Sequence, residues 1–323
     1  MKRIGIITLY YKSLNYGGTL QSAALVRYLC GRGFDARQIS FDFTANEAGL
    51  AKNLKRLASR ITDPDTPFYT QLGKYRDMFC EAVSRRLFFK QGFAARAAAF
   101  DAFRKKNIPA TSRVYSDADI SVAAADFDAF ITGSDIVWHP YLTDSDAFFL
   151  SFAPADKPKI AYAASLGVKA VGKSKEDAYR RRLAELDSIA VREASAARSL
   201  SRLTDKKIEV VLDPTLLLGR GDYESLASPA LIDKPYIFAY LLGGTKEQYR
   251  AVRETARKLS LPVVTVPHPG GQYRRRDEAF GDIHFANASP ADFLSLVSGA
   301  SLVLTDSFHT PKPQNPKTPK PLL

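Results

Sequence analysis

The chain has 323 residues, of which 46% are hydrophobic and 25% are charged, a composition typical of a soluble globular protein with room for two domains. No apolar run approaches the ~20 residues that a membrane-spanning helix needs, and Met1–Tyr11 lacks the pattern of a signal peptide, so the sequence favours a cytoplasmic protein. The two cysteines, Cys30 and Cys80, have neither zinc-ligand spacing nor a disulfide framework, and their apolar helical surroundings predict buried thiols.

The formal charge of +12 is concentrated in one segment. Residues 50–113 carry fourteen Lys or Arg against five Asp or Glu, a net charge of +9, and Lys312, Lys317 and Lys320 add +3 near the end of the chain. This local excess predicts an anionic partner, such as membrane phospholipid or an acidic substrate; the alternative is that the charges only solvate helix surfaces. No recognised nucleic-acid motif accompanies the segment, so nucleic acid is not an expected partner.

The first predicted elements are a strand, a turn and a helix. Ile4–Leu9 is a continuous apolar run, which is typical of a strand buried on both faces. The cluster Asn15–Gly18 predicts a tight turn, after which Thr19 is expected to cap a helix that ends near Gly31. Because ligands of open α/β sheets bind at the carboxyl ends of the strands, this turn is expected to face a ligand. The alternative is that its glycines only reverse the chain.

The rest of the first half predicts a parallel sheet that is interrupted by a helical insertion. Further short apolar strands are expected at 36–43, 128–132, 159–164, 188–191 and 209–212, with helical stretches between most of them. Residues 47–106 have a helical pattern that Pro64 and Pro67 break between Ile61 and Phe68. They are interpreted as a basic insertion at about 46–113, packed on the side of a first domain that spans residues 1–218.

The pattern loosens at 219–235, which marks the expected domain boundary. A second series then predicts strands at 236–241, 262–266, 283–285 and 302–305 and helices at 246–259 and 291–297. The two alternating series predict an α/β protein with two Rossmann-like, doubly wound parallel-sheet domains, the second spanning 219–310. Residues 311–323 are rich in proline and lysine and are expected to be disordered.

Four polar clusters follow predicted strands, where open α/β sheets bind their ligands. They are Gly133–Asp135, Arg192–Glu193, Asp213–Thr215 and Asp306–His309. Taken singly, each is also compatible with a turn or a surface ion pair. A further segment, residues 167–174, reads GVKAVGKS and matches the spelling of a phosphate-binding P-loop, although its bulky residues make a poor phosphate cradle.

Seven segments, taken in order, resemble the polysaccharide pyruvyl transferase family. They are NYGGTLQS, FITGSDIVWHP, KIAYAASLG, SIAVREASA, VVLDPTLLL, YIFAYLLG and LVLTDSFH, and the resemblance covers almost the whole chain, from Ile4 to His309. It implies a GT-B-like architecture, in which two Rossmann-like domains face each other across a cleft. In that family the segment after YAASLG is a variable loop that opens a helix, which disfavours the P-loop interpretation.

The resemblance also implies a reaction, the transfer of a pyruvyl group from phosphoenolpyruvate to sugar hydroxyls, usually as a cyclic ketal. The expected acceptor is a surface or capsular polysaccharide, an exopolysaccharide, or a lipid-linked precursor, with peripheral contact to the inner face of an anionic membrane. Phosphoenolpyruvate is a co-substrate, and neither a cofactor nor a metal is expected. This chemistry needs fixed cations and N–H groups for the phosphate and carboxylate, and a general acid for the enol carbon.

Individual residues acquire roles from the same resemblance. Arg192, in the family's VRE motif, and Ser307 are expected to bind the donor. His309, in the SFH motif, is expected to bind the donor or to protonate it, since histidine titrates near neutral pH. Asp135 is expected to have a catalytic acid–base role on the opposite wall of the cleft from Arg192. The residues expected to line that wall and bind the acceptor are Asn15, Gly17 and Gly18.

The end of the chain departs from the family pattern. His309 is followed by Thr310 and a proline-rich stretch in place of Gly-Thr and the closing elements of the second domain. A truncated second domain is therefore expected, with exposed apolar surface, a poorly oriented His309 and little activity. Two alternative functions stay open: a GT-B glycosyltransferase that uses a nucleotide sugar, and a catalytically dead remnant that only binds.

Overall fold

The computed structural model describes residues 1–43, 90–140, 143, 145–242, 244–267 and 280–307. These residues fall into two compact units, 1–43 with 104–217 and 90–103 with 218–307. Each unit is built on its own parallel β-sheet, so the predicted α/β class with two Rossmann-like sheets is confirmed. The placement of the two sheets across a cleft stays a prediction.

The first sheet contains seven parallel strands. They are β1 Arg3–Ile7, β2 Asp35–Phe41, β3 Ala110–Tyr115, β4 Ala129–Thr132, β5 Lys159–Ala164, β6 Ser188–Val191 and β7 Ile208–Val210. Their order across the sheet is β3-β2-β1-β4-β5-β6-β7, so the direction of winding reverses between β1 and β4, which pair directly. Such a reversal opens a crevice at the carboxyl ends of the two strands, and a ligand is expected to bind there.

The helices of the first unit are α1 Tyr16–Gly31, α3 Glu176–Ala184 and α4 Ala194–Leu200, and apolar side chains fill the space between them and the sheet. Helix α2, Lys90–Asn107, lies mostly in the second unit. The sequence of β1 is RIGII, and all but its first residue are buried, as expected for a strand covered on both faces. Phe130, Phe148 and Trp138 are fully buried in the main core cluster. The short 3₁₀ turns Asp146–Phe149 and Pro214–Leu216 complete the described framework near the carboxyl edge.

Helix α1 begins earlier than the sequence predicts. Its N-cap is Asn15 rather than Thr19, and the Asn15 Oδ1 atom accepts a hydrogen bond from the Gly18 N–H at 3.2 Å. Gly17 and Gly18 therefore lie in the first helical turn and do not form a separate loop turn. The physical reason is that asparagine is among the strongest N-cap residues, and two glycines do not prevent a helix that is buried over its first eleven residues.

Two further expectations for this half of the chain are corrected. Cys30 is exposed, because it lies in the last turn of α1, beyond Val26, the last buried residue of that helix. Residues 110–115, expected within the helical insertion, instead form β3, which pairs with β2 at the edge of the sheet. An edge strand needs only one paired side, and the polar sequence ATSRVY does not show the apolar run of a central strand.

The expected insertion is described only from residue 90 onward, so residues 46–89, including Cys80, lie outside the described residues. Residues 90–103 group with the second unit, whereas the sequence pattern assigns them to an insertion in the first domain. There the Arg96 Nη1 atom donates a hydrogen bond to the backbone oxygen of Pro267 at 2.7 Å. Burying the charged Arg96 side chain, which is 2% exposed, requires such partners.

The second unit contains four parallel strands, β8 Ile237–Tyr240, β9 Val263–Thr265, β10 Ile283–His284 and β11 Leu302–Thr305, in the order β10-β9-β8-β11. Besides most of α2, the helices described in this unit are α5 Arg220–Leu226, α6 Lys246–Leu259 and α7 Pro290–Ser298. The winding again reverses, here between β8 and β11, which repeats the arrangement of the first sheet. Capping boxes begin α6 and α7, from Thr245 to Gln248 and from Ser289 to Asp292.

The described part of the chain contains no helix that is both long and apolar enough to cross a membrane. His309 and the proline-rich segment 311–323 lie outside the described residues, so the expectations for them stay predictions.

Candidate functional site

A buried carboxylate connects three loops at the carboxyl edge of the first sheet. Asp213, which follows β7, has a side chain with 0% exposure. Its Oδ2 atom accepts hydrogen bonds from Ser134 Oγ at 2.7 Å and from Arg192 Nη1 at 3.2 Å. Its Oδ1 atom accepts from the backbone N–H and the hydroxyl of Thr215, at 3.0 and 2.7 Å. The loops that follow β4, β6 and β7 are therefore joined at one side chain.

The guanidinium of Arg192 lies between two carboxylates. Its side chain is 9% exposed, and its Nε atom is 3.7 Å from Glu193 Oε2. Glu193 is held in turn by Ser165, whose hydroxyl donates to Glu193 Oε1 at 2.7 Å. Charge-assisted contacts on two sides fix the plane of the guanidinium, so Arg192 is a preoriented cation rather than a mobile surface arginine.

The amino end of α1 lies against the loop that follows β4. A Cβ atom added at Gly18 would lie 3.4 Å from Asp135 Oδ2, so the backbone of the first helical turn lies close to that carboxylate. The loop is also tied to α1 by Gln21, whose Oε1 atom accepts from the Ser134 N–H at 3.3 Å and whose Nε2 atom donates to the Gly18 backbone oxygen at 3.0 Å. The first turn of α1 carries no acidic residue, so the positive end of its dipole is not neutralised from within the helix.

Asp135 adopts an uncommon backbone conformation at this edge. Its φ angle is +69°, in the left-handed region that non-glycine residues seldom occupy, and such residues cluster at functional sites. The Asp135 Oδ1 atom accepts from the Ile136 N–H at 2.9 Å, and its backbone oxygen accepts from the Ser165 N–H at 2.9 Å. These contacts hold the carboxylate with Oδ2 toward the amino end of α1.

Two tyrosines near the same edge stay neutral at physiological pH. Burial raises the pKa of Tyr10 to about 12, against the smaller opposing effect of its hydrogen bond to Ser40. Burial also raises the pKa of Tyr162, and the nearby Tyr28 and Asp213 raise it further. Neither phenol therefore forms a phenolate base near neutral pH, and each retains an O–H group as a hydrogen-bond donor.

The structure brings several of the predicted site residues together. Arg192 and Asp135 lie at the carboxyl edge of the same sheet, together with Asn15, Gly17 and Gly18 in or next to the first turn of α1. The expectation that Arg192 and Asp135 lie on opposite walls is therefore wrong. The reason is that β4 and β6 are parallel strands of one sheet, so the loops that follow them lie at the same edge.

Ser307 belongs to the second sheet, where it follows β11. Its N–H donates to Thr305 Oγ1 at 3.0 Å, and the neighbouring Asp306 accepts from the Leu242 N–H at 2.6 Å. Asp306 thereby links the carboxyl ends of β8 and β11, between which the winding of the second sheet reverses. His309 lies outside the described residues, so its predicted role cannot be read from its position.

Sequence reasoning missed the importance of Asp213 and Ser134. Both stood in strand-end clusters, but an Asp-Pro after a strand reads as a turn and a Ser in a Gly-Ser-Asp string reads as a loop residue. The available signal was that two polar clusters, after β4 and after β7, end buried strands in the same predicted sheet. The hydrogen bond between them depends on the fold.

The P-loop spelling at 167–174 does not form a phosphate cradle. The Val171 N–H, which such a loop would direct at a phosphate, donates to Ser199 Oγ at 3.0 Å. A Cβ atom at Gly167 would lie 2.8 Å from the Ile136 side chain, so this glycine accommodates a neighbouring residue rather than a ligand. Within the described ranges, no group of three or more His, Cys, Asp or Glu residues is arranged to hold a metal ion.

Comparison with known proteins gives one family match. The family model described as polysaccharide pyruvyl transferase matches residues 15–310. No curated protein matches the chain. Among solved structures, a UDP-GlcNAc 2-epimerase from Neisseria meningitidis bound to UDP-GlcNAc is 12% identical with a TM-score of 0.43, covering 95% of this chain and 78% of the epimerase chain. MurG from Acinetobacter baumannii is 11% identical with a TM-score of 0.32, covering 94% of this chain and 71% of the MurG chain.

Proposed function

The chain belongs to the polysaccharide pyruvyl transferase family, and on that premise we propose that it transfers a pyruvyl group from phosphoenolpyruvate to sugar hydroxyls as a cyclic ketal. The proposed acceptor is a surface or capsular polysaccharide or its lipid-linked precursor. The observation that carries the proposal is that the preoriented Arg192 guanidinium lies at the carboxyl edge of the first sheet. The amino end of α1 lies at the same edge. Together they offer a fixed cation and a helix dipole to a doubly anionic donor.

The groups proposed to bind phosphoenolpyruvate carry the opposite charge to its phosphate and carboxylate. Arg192 presents a planar fork of N–H donors, which suits either the carboxylate or the phosphate of phosphoenolpyruvate. The positive end of the α1 dipole suits the other anionic group, while Asn15, Gly17 and Gly18 beside it are proposed to bind the acceptor. Ser307 and His309 are proposed as further donor ligands from the family's SFH motif.

The proposed reaction balances without a cofactor. A general acid, for which we propose His309, adds a proton to the methylene carbon of phosphoenolpyruvate, and C2 gains oxocarbenium character. One sugar hydroxyl oxygen bonds to C2, the bond from C2 to the phosphate oxygen breaks, and a second hydroxyl oxygen closes the ketal. The two hydroxyl protons are released; one replaces the proton given to carbon and the other leaves on phosphate. Asp135 is proposed as the base that accepts a hydroxyl proton.

The test is a reaction of the full chain with phosphoenolpyruvate and a panel of nitrophenyl hexosides whose hydroxyl pairs can close a five- or six-membered ketal. We expect inorganic phosphate and a new ketal methyl signal in the proton spectrum in equal amounts. Formation of a nucleoside diphosphate from nucleotide sugars, with phosphoenolpyruvate untouched, would instead support the glycosyltransferase. Binding of saccharide without either reaction would support the non-catalytic remnant.

We also propose that the basic segment contacts an anionic membrane from its cytoplasmic face. Lys105 and Lys106 are exposed and available to phospholipid head groups. Arg113 is exposed but pairs with Asp119 at 2.8 Å, and Arg104 is buried and donates through Nη1 to the Ser13 backbone oxygen. Attraction of this kind amounts to about 1 kcal/mol per surface cation and is screened within ~10 Å at 0.1 M salt.

Replacing Lys105 and Lys106 together with glutamate is expected to lower binding to phosphatidylserine-containing vesicles by about tenfold or more at low salt. Co-sedimentation measures it, with Lys169→Glu and Lys234→Glu combined as a control of equal charge change at exposed lysines outside the segment. Equal binding of the wild-type chain to neutral and anionic vesicles would show that these cations only solvate the surface.

A further inference from the structure

We propose that Asp213 is the positioning residue of the donor site, fixing the Arg192 guanidinium and the Ser134 hydroxyl so that Arg192 meets the donor in one orientation. The inference rests on the proposed function and adds to it a residue outside the predicted catalytic and binding set. It starts from one observation: the fully buried carboxylate of Asp213 receives donors from three different strand-end loops.

Burial makes this carboxylate dependent on its partners. An ionised carboxylate removed from water is costly unless it is paired and hydrogen-bonded. The hydrogen bonds from Ser134, Arg192 and Thr215 engage both oxygens of the Asp213 carboxylate. Asp213 is therefore an acceptor that holds other groups in place, rather than a proton carrier that touches substrate.

The two bonds to Oδ2 have a different consequence from the two bonds to Oδ1. Thr215 is only two residues away, so its bonds shape the local turn after β7. Ser134 and Arg192 come from the loops after β4 and β6, so their bonds to Oδ2 set the distance between two separate strand ends. Without the charge on Oδ2, the Arg192 fork loses one of the two carboxylates that orient it, whereas the contact to Glu193 remains.

The sharpest variant is Asp213→Asn, which keeps size and one acceptor oxygen but removes the charge. We expect phosphoenolpyruvate to bind about tenfold to a hundredfold more weakly by calorimetry, because a charge-assisted bond that orients its main cation is lost. The KM for the saccharide acceptor is expected to stay within about twofold of wild type, since Arg192 is proposed to bind the donor and not the acceptor.

A double-mutant cycle separates positioning from general damage. In the Arg192→Ala background, Asp213→Asn is expected to weaken phosphoenolpyruvate binding little further, because the group that it positions is already absent. The matched control is Asp128→Asn, which removes a carboxylate that accepts from the Arg3 N–H at 2.8 Å at the opposite, amino edge of the same sheet. It is expected to leave phosphoenolpyruvate binding unchanged.

Three results would overturn the inference. They are unchanged phosphoenolpyruvate affinity in a folded Asp213→Asn variant, equal losses in the wild-type and Arg192→Ala backgrounds, and equal rises in donor and acceptor KM. If Asp213→Asn does not fold, Ser134→Ala takes its place. We expect that variant to bind phosphoenolpyruvate about threefold to tenfold more weakly. An unchanged affinity would contradict the inference. A wild-type chain that does not bind phosphoenolpyruvate contradicts the proposed function itself, whereas wild-type binding with an unaffected Asp213→Asn contradicts only the inference.

Discussion

Replacing Trp138 with alanine is expected to lower the free energy of unfolding of the first unit by about 3–5 kcal/mol, the usual cost of emptying a large aromatic site in a core. Trp138 has no exposed surface and stacks on Phe149, with ring centroids 5.0 Å apart and planes within 4° of parallel. Its Nε1–H donates to the Phe148 backbone oxygen at 2.9 Å, so the truncation also leaves a buried oxygen without that donor.

Urea unfolding measures this change and is followed by circular dichroism. Tryptophan fluorescence cannot serve as the signal, because Trp138 is the only tryptophan in the chain and the variant lacks it. Val122→Ala is the control, because Val122 is 50% exposed and its truncation is expected to change stability by no more than about 0.5 kcal/mol. A loss below about 1 kcal/mol for Trp138→Ala would show that the site collapses around the smaller side chain.

Strand positions were largely predictable because each central strand is a short, continuous apolar run. The predicted bounds of 159–164, 188–191 and 302–305 coincide with β5, β6 and β11, and helix α6 begins and ends at the predicted residues 246 and 259. In α6 the capping box of Thr245 and Gln248 marks the start in the sequence itself. Local sequence signals of this kind predict the structure correctly because the tertiary contacts favour the same conformation.

The errors arise where tertiary contacts decide the outcome. β3 has a polar sequence and exists as a strand because β2 offers it a paired edge. The glycines at 17 and 18 are helical because Asn15 caps α1 and the first eleven residues of the helix are buried. Cys30 follows the apolar pattern of α1 but lies beyond the part of the helix that the sheet covers. In each case the conformation or exposure depends on contacts with parts of the chain that are distant in sequence.

The candidate site shows the same division. The strand-end positions of Asp135, Arg192 and Asp213 follow from the predicted strands, because polar residues after apolar runs mark the ligand-binding edge of an open sheet. Their grouping does not follow, because it depends on the order β1-β4-β5-β6-β7 across the sheet. Sequence therefore identifies candidate groups, while the strand order determines which of them meet.

Replacing Gly133 with alanine is expected to destabilise the first unit by about 3 kcal/mol or more, from an unfavourable backbone conformation together with overpacking. Gly133 follows β4 and has a φ angle of +105°, which residues with a Cβ atom rarely adopt. An added Cβ atom would lie 2.3 Å from the Tyr162 backbone oxygen and 3.2 Å from the Ala164 nitrogen. Since both neighbours belong to the backbone of β5, neither can move aside as a side chain would.

The same substitution is expected to weaken phosphoenolpyruvate binding in whatever fraction stays folded, because Gly133 directly precedes Ser134 and a shift there breaks the bond from Ser134 Oγ to Asp213. Thermal unfolding and calorimetry measure the two effects together. Gly31→Ala is the matched control: Gly31 ends α1, a Cβ atom there would meet nothing within 4 Å, and alanine in a helix is favoured over glycine by about 0.5–1 kcal/mol. Wild-type melting and binding in Gly133→Ala would show that β4 and β5 separate without cost, and that the carboxyl edge tolerates a shift of its central loop.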